Sequence, residues 1–301
     1  MRVIHSRTLI LATASLFTLA TVFGGAIRAQ QPCSVTPVLR TATAAHTFTA
    51  QQEQALGDVE AEWVETTYRV VHDTELSSHL NMVLGRILSQ FPPNQLRVRV
   101  ILIDAPEADA FSAGPERIYI TRKMVAMLNN DDELAGLLGH EMGHILTHQN
   151  AILVAHLFHD LLGVNAVSDR KDISDKFGRM LDSINRDDKV FRKAAQIIQR
   201  QEETHQYEAD RVALYAAAAA GFSPQAFAEF FDRFAETHGS TGNLLTDFLE
   251  ATTSNEKRLR EIHKSLKLLP QPCREIAAAA PSADFLTWQA AVISYPDWAR
   301  R

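Results

Sequence analysis

The tightest constraint on this chain lies in five residues, His140-Glu141-Met142-Gly143-His144. Two histidines at i and i+4 share one face of an α-helix about one turn apart. Both imidazoles then reach a single tetrahedral Zn²⁺, while the glutamate between them stands ready to take a proton from water. The alternative is a structural histidine pair. The flanks agree with the metal reading: Asn130 followed three residues later by Glu133 predicts a capping box for a helix over about 131–149, and Leu134, Leu137, Leu138, Met142 and Ile145 give it an apolar side.

Composition narrows the class. With 301 residues, 46% hydrophobic and 22% charged, and only 13 Gly and 11 Pro, the chain is neither collagen-like, low-complexity nor wholly disordered. A formal charge of −6 gives no footprint for nucleic acid or for a polybasic membrane surface. Arg2 and Arg7, the uncharged apolar run Thr8 to Phe23, and Ile27-Arg28-Ala29 predict a signal peptide over residues 1–29 and export to a periplasmic or secreted location. The alternative is a retained N-terminal anchor, the only membrane contact expected. The run is long for a signal h-region and short for a span of about 20 residues. Cleavage would remove three basic residues and no acid, taking the charge to −9. Cys33 and Cys273 are the only cysteines. They form one bridge under oxidising conditions or remain two buried thiols.

The remainder reads as α+β, mostly helical with one small strand region. Residues 30–46 have no apolar period and read as an arm; 47–301 read as one domain. Helical patterns cover Gln52 to Val71 and Leu76 to Ser89, the second stopped by Phe91-Pro92-Pro93-Asn94. Leu96 to Ile103 is the best strand, and Arg117 to Thr121 a shorter one after the turn residues Ser112 to Pro115. A helix is expected over 122–128. The apolar run 151–164, interrupted by His156, His159 and Asp160, is core or groove wall, and 165–190 a loop or solvated helix. Helices are expected from Val190 to Ala220, from Ser223-Pro224 through Phe234 with Ser223 as N-cap, and over about 255–268; the tail after Pro281 is ambiguous.

The metal helix has the arrangement of a zincin, and its third ligand decides which kind. A metzincin needs Gly and His where Thr147 and Asn150 stand, so that class is excluded. His148, one turn beyond His144, reads as a supporting or surface residue rather than a ligand. On a separate helical stretch lies Gln206-Tyr207-Glu208-Ala209-Asp210-Arg211.

With these pieces in place the chain resembles the HtpX and CAAX-prenyl-protease family of zinc metallopeptidases, and within it the soluble exported bacterial members. The resemblance covers most of residues 47–265. It rests on Phe48 to Gly57, on Asp109-Ala110-Phe111-Ser112 through Arg122, on Glu133 to His144, on Glu208 to Arg211, on Gly221-Phe222-Ser223-Pro224 and on Asn255 to Leu259. It implies a gluzincin-type domain with a small sheet bordering the cleft, one Zn²⁺ per chain, and ligands His140, His144 and position 206. Two departures matter: Gln206 stands where the family has a ligating Glu, and Thr252-Thr253 stand where it commonly has His-Pro.

The roles that follow are Glu141 as general base, Asp210 orienting a ligating imidazole or forming a helix salt bridge, and Arg258 as a donor to substrate or oxyanion or as a structural ion pair. Glu208 lies about 200° around the helix from Gln206 and cannot replace it without local rearrangement. Glu203 and His205 read as solvent-facing. The expected activity is a metalloendopeptidase acting on exported or misfolded polypeptides, with substrate adding to an edge strand near Arg117 to Thr121 and with envelope proteins as further partners. The alternative is a weakened member acting as a chaperone-like polypeptide-binding module.

Overall fold

The computed structural model describes residues 33–35, 48–91, 97–237 and 256–296, and only the backbone of 201–204 and 235–237. The expected leader 1–29, most of the arm 30–46, the Pro92-Pro93-Asn94 stop, Thr252-Thr253, Asn255 and the Glu203 side chain lie outside the described residues.

A four-stranded sheet stands between layers of helices. β1 (Arg69–Val70) pairs antiparallel with β2 (Arg99–Asp104), β2 runs parallel to β4 (Arg117–Thr121), and β3 (Ala110–Ala113) lies antiparallel on the far side of β4. This order corrects the expected edge strand: β4 is internal, and β3 is the edge. Periodicity does not mark β3, because all four of its residues are buried and show no alternation; only the family resemblance reaches it. Side chains alternate across the sheet. Ile103, Phe111 and Tyr119 meet Ala61 and Val64 of α1 (Ala50–Thr67) on one face. Val100, Leu102, Ala110, Ile118 and Ile120 join the main core on the other.

That core gathers α2 (Thr74–Leu88), α3 (Arg122–Met127), α4 (Asp131–Leu146), the C-terminal part of α7 (Asp188–Ala219), and α8 (Pro224–Thr237). A second cluster joins α1, α5 (Gln149–Leu162), α6 (Arg170–Arg186) and the N-terminal part of α7. α5 is the apolar run 151–164, and it is core; among the described residues no helix is long and apolar enough to cross a membrane. Of the two readings of 165–190, the helix is the one formed: α6 buries one residue per turn, Ile173, Phe177, Met180 and Ile184.

Three local expectations change. α1 stops at Thr67, where the chain turns into β1. Asn130 caps α4 by accepting from the Glu133 N–H at 3.0 Å, but the Glu133 carboxylate turns to the Asn129 N–H at 2.8 Å and to Arg233 at 2.7 Å, leaving half a capping box. Ser223 is buried, with its N–H donated to Asp132 at 3.1 Å and its hydroxyl without a hydrogen-bond partner, so the expected side-chain cap is not made.

The C-terminal part closes the fold. α9 (Glu256–Leu268) and α10 (Gln271–Arg274) pack on α7 and α8. The ambiguous tail forms α11 (Ala283–Ser294), which buries Phe285, Trp288 and Val292; the Trp288 indole donates to the Leu76 carbonyl at 2.9 Å and stacks on His79 at 4.3 Å. Of the two readings of the cysteines, the bridge is the one formed: Cys33 is bonded to Cys273 of α10.

Candidate metal centre

The centre begins with missing side chains. A Cβ at Gly139 would lie 3.1 Å from the Ala213 Cα, and one at Gly143 only 2.6 Å from the Ala209 Cα. α4 and α7 therefore touch backbone to backbone and run antiparallel, with Gly139 at the level of Ala213 and Gly143 at that of Ala209. Gly136 receives the Phe227 ring of α8 in the same way, where a Cβ would meet it at 2.6 Å. The spacing of these glycines was a legible signal of close approach, which the sequence reading passed over.

At that separation α7 delivers Asp210 to His140, with Oδ1 2.9 Å from Nδ1. Asp210 is itself gripped by Arg258 of α9, whose Nε donates to Oδ2 at 2.8 Å and whose Nη2 donates to Oδ1 at 2.6 Å. The guanidinium lies 4.4 Å over the Phe231 ring and is 1% exposed. Burial pushes the Asp210 carboxyl up, but Arg258 outweighs it and holds the pKa down to about 2. A buried carboxylate facing Nδ1 puts the ring proton there and leaves the Nε2 lone pair for a metal. Of the two roles weighed for Arg258, the contacts are those of the ion pair: both donors above go to Asp210, and Nη2 also lies 3.4 Å from the His140 ring nitrogens.

His144 is braced differently. Its Nδ1 donates to Oε1 of Gln149, the first residue of α5, and the Gln149 amide donates onward to the His205 carbonyl at 3.0 Å. Burial first, and neighbouring His140 second, hold the His144 pKa well below the usual imidazole value, so the ring is neutral. Gln149 was missed by the sequence reading, because the helix was expected to run through it. Instead α4 ends at Leu146, and His148 takes a left-handed conformation at φ 56°. The His148 ring turns to Glu53 of α1 at 2.8 Å, away from the face of His144.

With both Nδ1 protons committed, the two Nε2 atoms face each other at 2.9 Å, the rings edge to face. Lone pairs that close repel, and a shared cation relieves the repulsion. Glu141 is 0% exposed, and neither of its oxygens has a hydrogen-bond partner. Burial and the neighbouring Asp109 push its pKa well above the usual range; Ser112 of β3 lies close enough to oppose this without completing a hydrogen bond. Among the described residues His140, Glu141 and His144 form the one group able to hold a metal ion, with ligand atoms within 4.8 Å of one another.

Gln206 lies one turn before Asp210 on the same side of α7, and so faces α4 below the level of Gly143. It is 6% exposed, and its Oε1 is buried without a hydrogen-bond partner. An orphaned carbonyl oxygen on that face fits the donor set of a metal site. Glu208 is half-buried off that face, and the His205 ring is half-buried rather than solvent-facing.

Comparison with known proteins points to the same class of site. The profile of Peptidase family M48 matches residues 72–264, from just before α2 into α9. A curated relative, the mitochondrial metalloendopeptidase OMA1 of Schizosaccharomyces pombe, is 24% identical over 214 residues. That alignment covers 71% of this chain and 59% of the relative's length.

Proposed function

The chain belongs to peptidase family M48, and from that premise we propose that it is a zinc-dependent endopeptidase acting on exported or misfolded polypeptides. The observation that carries the reading is the pair of imidazoles presenting Nε2 atoms 2.9 Å apart beside the buried carboxyl group of Glu141, which has no hydrogen-bond partner. His140, His144 and Gln206 would hold the ion. Bound there, Zn²⁺ supplies Lewis-acid polarisation of the scissile carbonyl and of the attacking water. Glu141 takes the water's proton and returns it to the leaving amine. Asp210 and Gln149 keep the imidazoles oriented, and Arg258 keeps Asp210 charged. An extended substrate lies along β3, the sheet edge that carries Ser112 toward Glu141, and pairs with it by main-chain hydrogen bonds.

The finer reading is a soluble, exported member of the HtpX-like branch, working in the periplasm or outside the cell, with envelope proteins as partners. The Cys33–Cys273 bridge supports it, since such bonds persist in oxidising compartments. Metal analysis of the purified protein should find one zinc per chain, and casein cleavage should stop with chelator and return with zinc. Glu141→Gln should keep the metal and lose about 10²–10⁴-fold in cleavage. Undiminished cleavage by that variant would remove Glu141 from the reaction.

A further inference from the structure

The chemistry above draws on α4, α5, α7, α9 and β3 and leaves α1 without a part. α1 also lies outside the residues matched by the family profile. Yet it turns a polar stripe inward, with Glu53, Gly57 and Glu60 at i, i+4 and i+7, all buried. Glu53 holds His148 at the joint between α4 and α5. At Gly57 a Cβ would sit 2.7 Å from the Gly114 Cα, so the turn after β3 rests directly on the helix. Gly114 itself has φ 58°, which suits glycine. Glu60 then joins two segments: its Oε2 accepts from the Gly114 N–H at 3.0 Å and from the Asn150 side-chain amide at 2.6 Å. Gly114 follows the last residue of the edge strand. Asn150 follows Gln149, the brace of His144.

We propose that Glu60 is a positioning residue that fixes the edge strand β3 against the helical turn that braces His144. The inference rests on the reading of β3 as the strand that receives substrate. Glu60 is 1% exposed, and its Oε1 has no hydrogen-bond partner. A carboxylate there would leave Oε1 charged and without a donor, which in a buried site costs far more than an unpaired hydroxyl. The charged groups around it are Glu53 on its own helix and Arg117 of β4, and Arg117 is already paired with Asp58 at 2.7 Å. Burial pushes the Glu60 pKa up to about 8; Glu53 adds to the rise, while Asn150, Gly114 and Arg117 oppose it.

The test compares the full chain with Glu60→Leu and Glu60→Gln by hydrogen exchange, thermal unfolding against pH, and hydrolysis of an extended casein-derived peptide. In Glu60→Leu, exchange should quicken together in 110–116 and 149–154, and kcat/KM should fall at least about tenfold. Glu60→Gln keeps an acceptor oxygen without a charge and should restore both. Wild-type activity should decline above pH 8 as Glu60 ionises, and Glu60→Gln should lose that alkaline limb. Because the folded pKa is raised above the unfolded value, the native state holds the extra proton between pH 4.5 and 8. The contribution of Glu60 to stability is therefore fully present below pH 4.5 and lost as pH rises to 8, so over that interval the wild type should lose stability relative to Glu60→Gln. This arm stands even if Glu60→Leu does not fold. Quickened exchange in only one segment or in neither, an unchanged stability slope, or an alkaline limb that survives in Glu60→Gln would overturn the proposal. A wild type with zinc but no hydrolysis would instead overturn the peptidase reading, with exchange and unfolding still deciding the role of Glu60.

Discussion

At the seam between α4 and α7, His140 is held by a carboxylate from a distant part of the chain, itself fixed by a guanidinium from a third helix. At the corner between α4 and α5, His144 is held by an amide five residues away, fixed in turn by a backbone carbonyl. The first brace is charged, long-range and buried; the second is neutral and local. The difference teaches where the site's stability is concentrated. A buried ion pair adds little as a pair but is costly to break, because each partner was desolvated on the other's account. A neutral hydrogen bond adds about 1 kcal/mol and can be lost for about as much.

The largest effect should therefore come from unequal damage to two braces that serve the same metal. Asp210→Ala leaves the Arg258 charge inside the protein without its carboxylate and should cost about 3–5 kcal/mol in stability. Loss of a ligand's hydrogen-bonded support also lowers metal affinity by about 10–100-fold. Gln149→Leu should lower affinity toward the bottom of that range and cost only about 1 kcal/mol in stability. Denaturant unfolding and zinc titration of both variants check this; equal stability losses would break the comparison.

A smaller effect belongs to the seam itself. Gly143→Ala drives a methyl to within 2.6 Å of the Ala209 backbone, which has no flexible end to move aside. Overpacking of this kind costs about 1–3 kcal/mol, and the widening should show as weaker zinc binding through displaced Asp210. Gly85 of α2 is the control: a Cβ there meets nothing within 4 Å. Gly85→Ala should raise stability by about 0.5–1 kcal/mol, the ordinary gain of alanine over glycine in a helix. If the two substitutions change unfolding alike, α4 and α7 are not held at backbone contact.

The same contrast explains what the sequence disclosed. His140, Glu141, His144 and Asp210 were legible because metal and proton chemistry admits few residue types and helical spacing fixes their faces. The internal strands β2 and β4 and most of the helices were legible from periodicity. β3 was not, because an edge strand covered on both faces looks like any short apolar run. α6 was legible only as one of two readings, because its single stripe is diluted by charge. Gln149 was misplaced because nothing local in Leu146-Thr147-His148 marks a break. The break depends on His148 reaching Glu53, a residue of another helix. Glu60 carried no signal at all: a glutamate in an amphipathic helix reads as surface until the turn at Gly114 is seen resting beside it.

Gln206 gives the smallest effect and the finest discrimination, because two measurements on one variant should move in opposite directions. The seam's register, Gly139 at Ala213 and Gly143 at Ala209, continues to position 206 at the level of Leu146, and the Gln206 carbonyl oxygen is buried without a hydrogen-bond partner. Gln206→Glu replaces a neutral oxygen with a charged one at nearly constant volume. Without metal, that carboxylate adds a second buried acid beside α4, where Arg258 is already paired with Asp210, so the chelator-treated variant should melt below chelator-treated wild type. With zinc the charge becomes a strong oxygen ligand, and affinity should rise about tenfold, or about 1.4 kcal/mol, with melting above the zinc-loaded wild type. The crossing of the two melting orders is the expected outcome, read by thermal unfolding with and without zinc. A variant that melts lower in both states would mean that the carboxylate is buried but does not reach the ion. One unchanged in both would place position 206 outside the pocket and leave the seam without a third ligand.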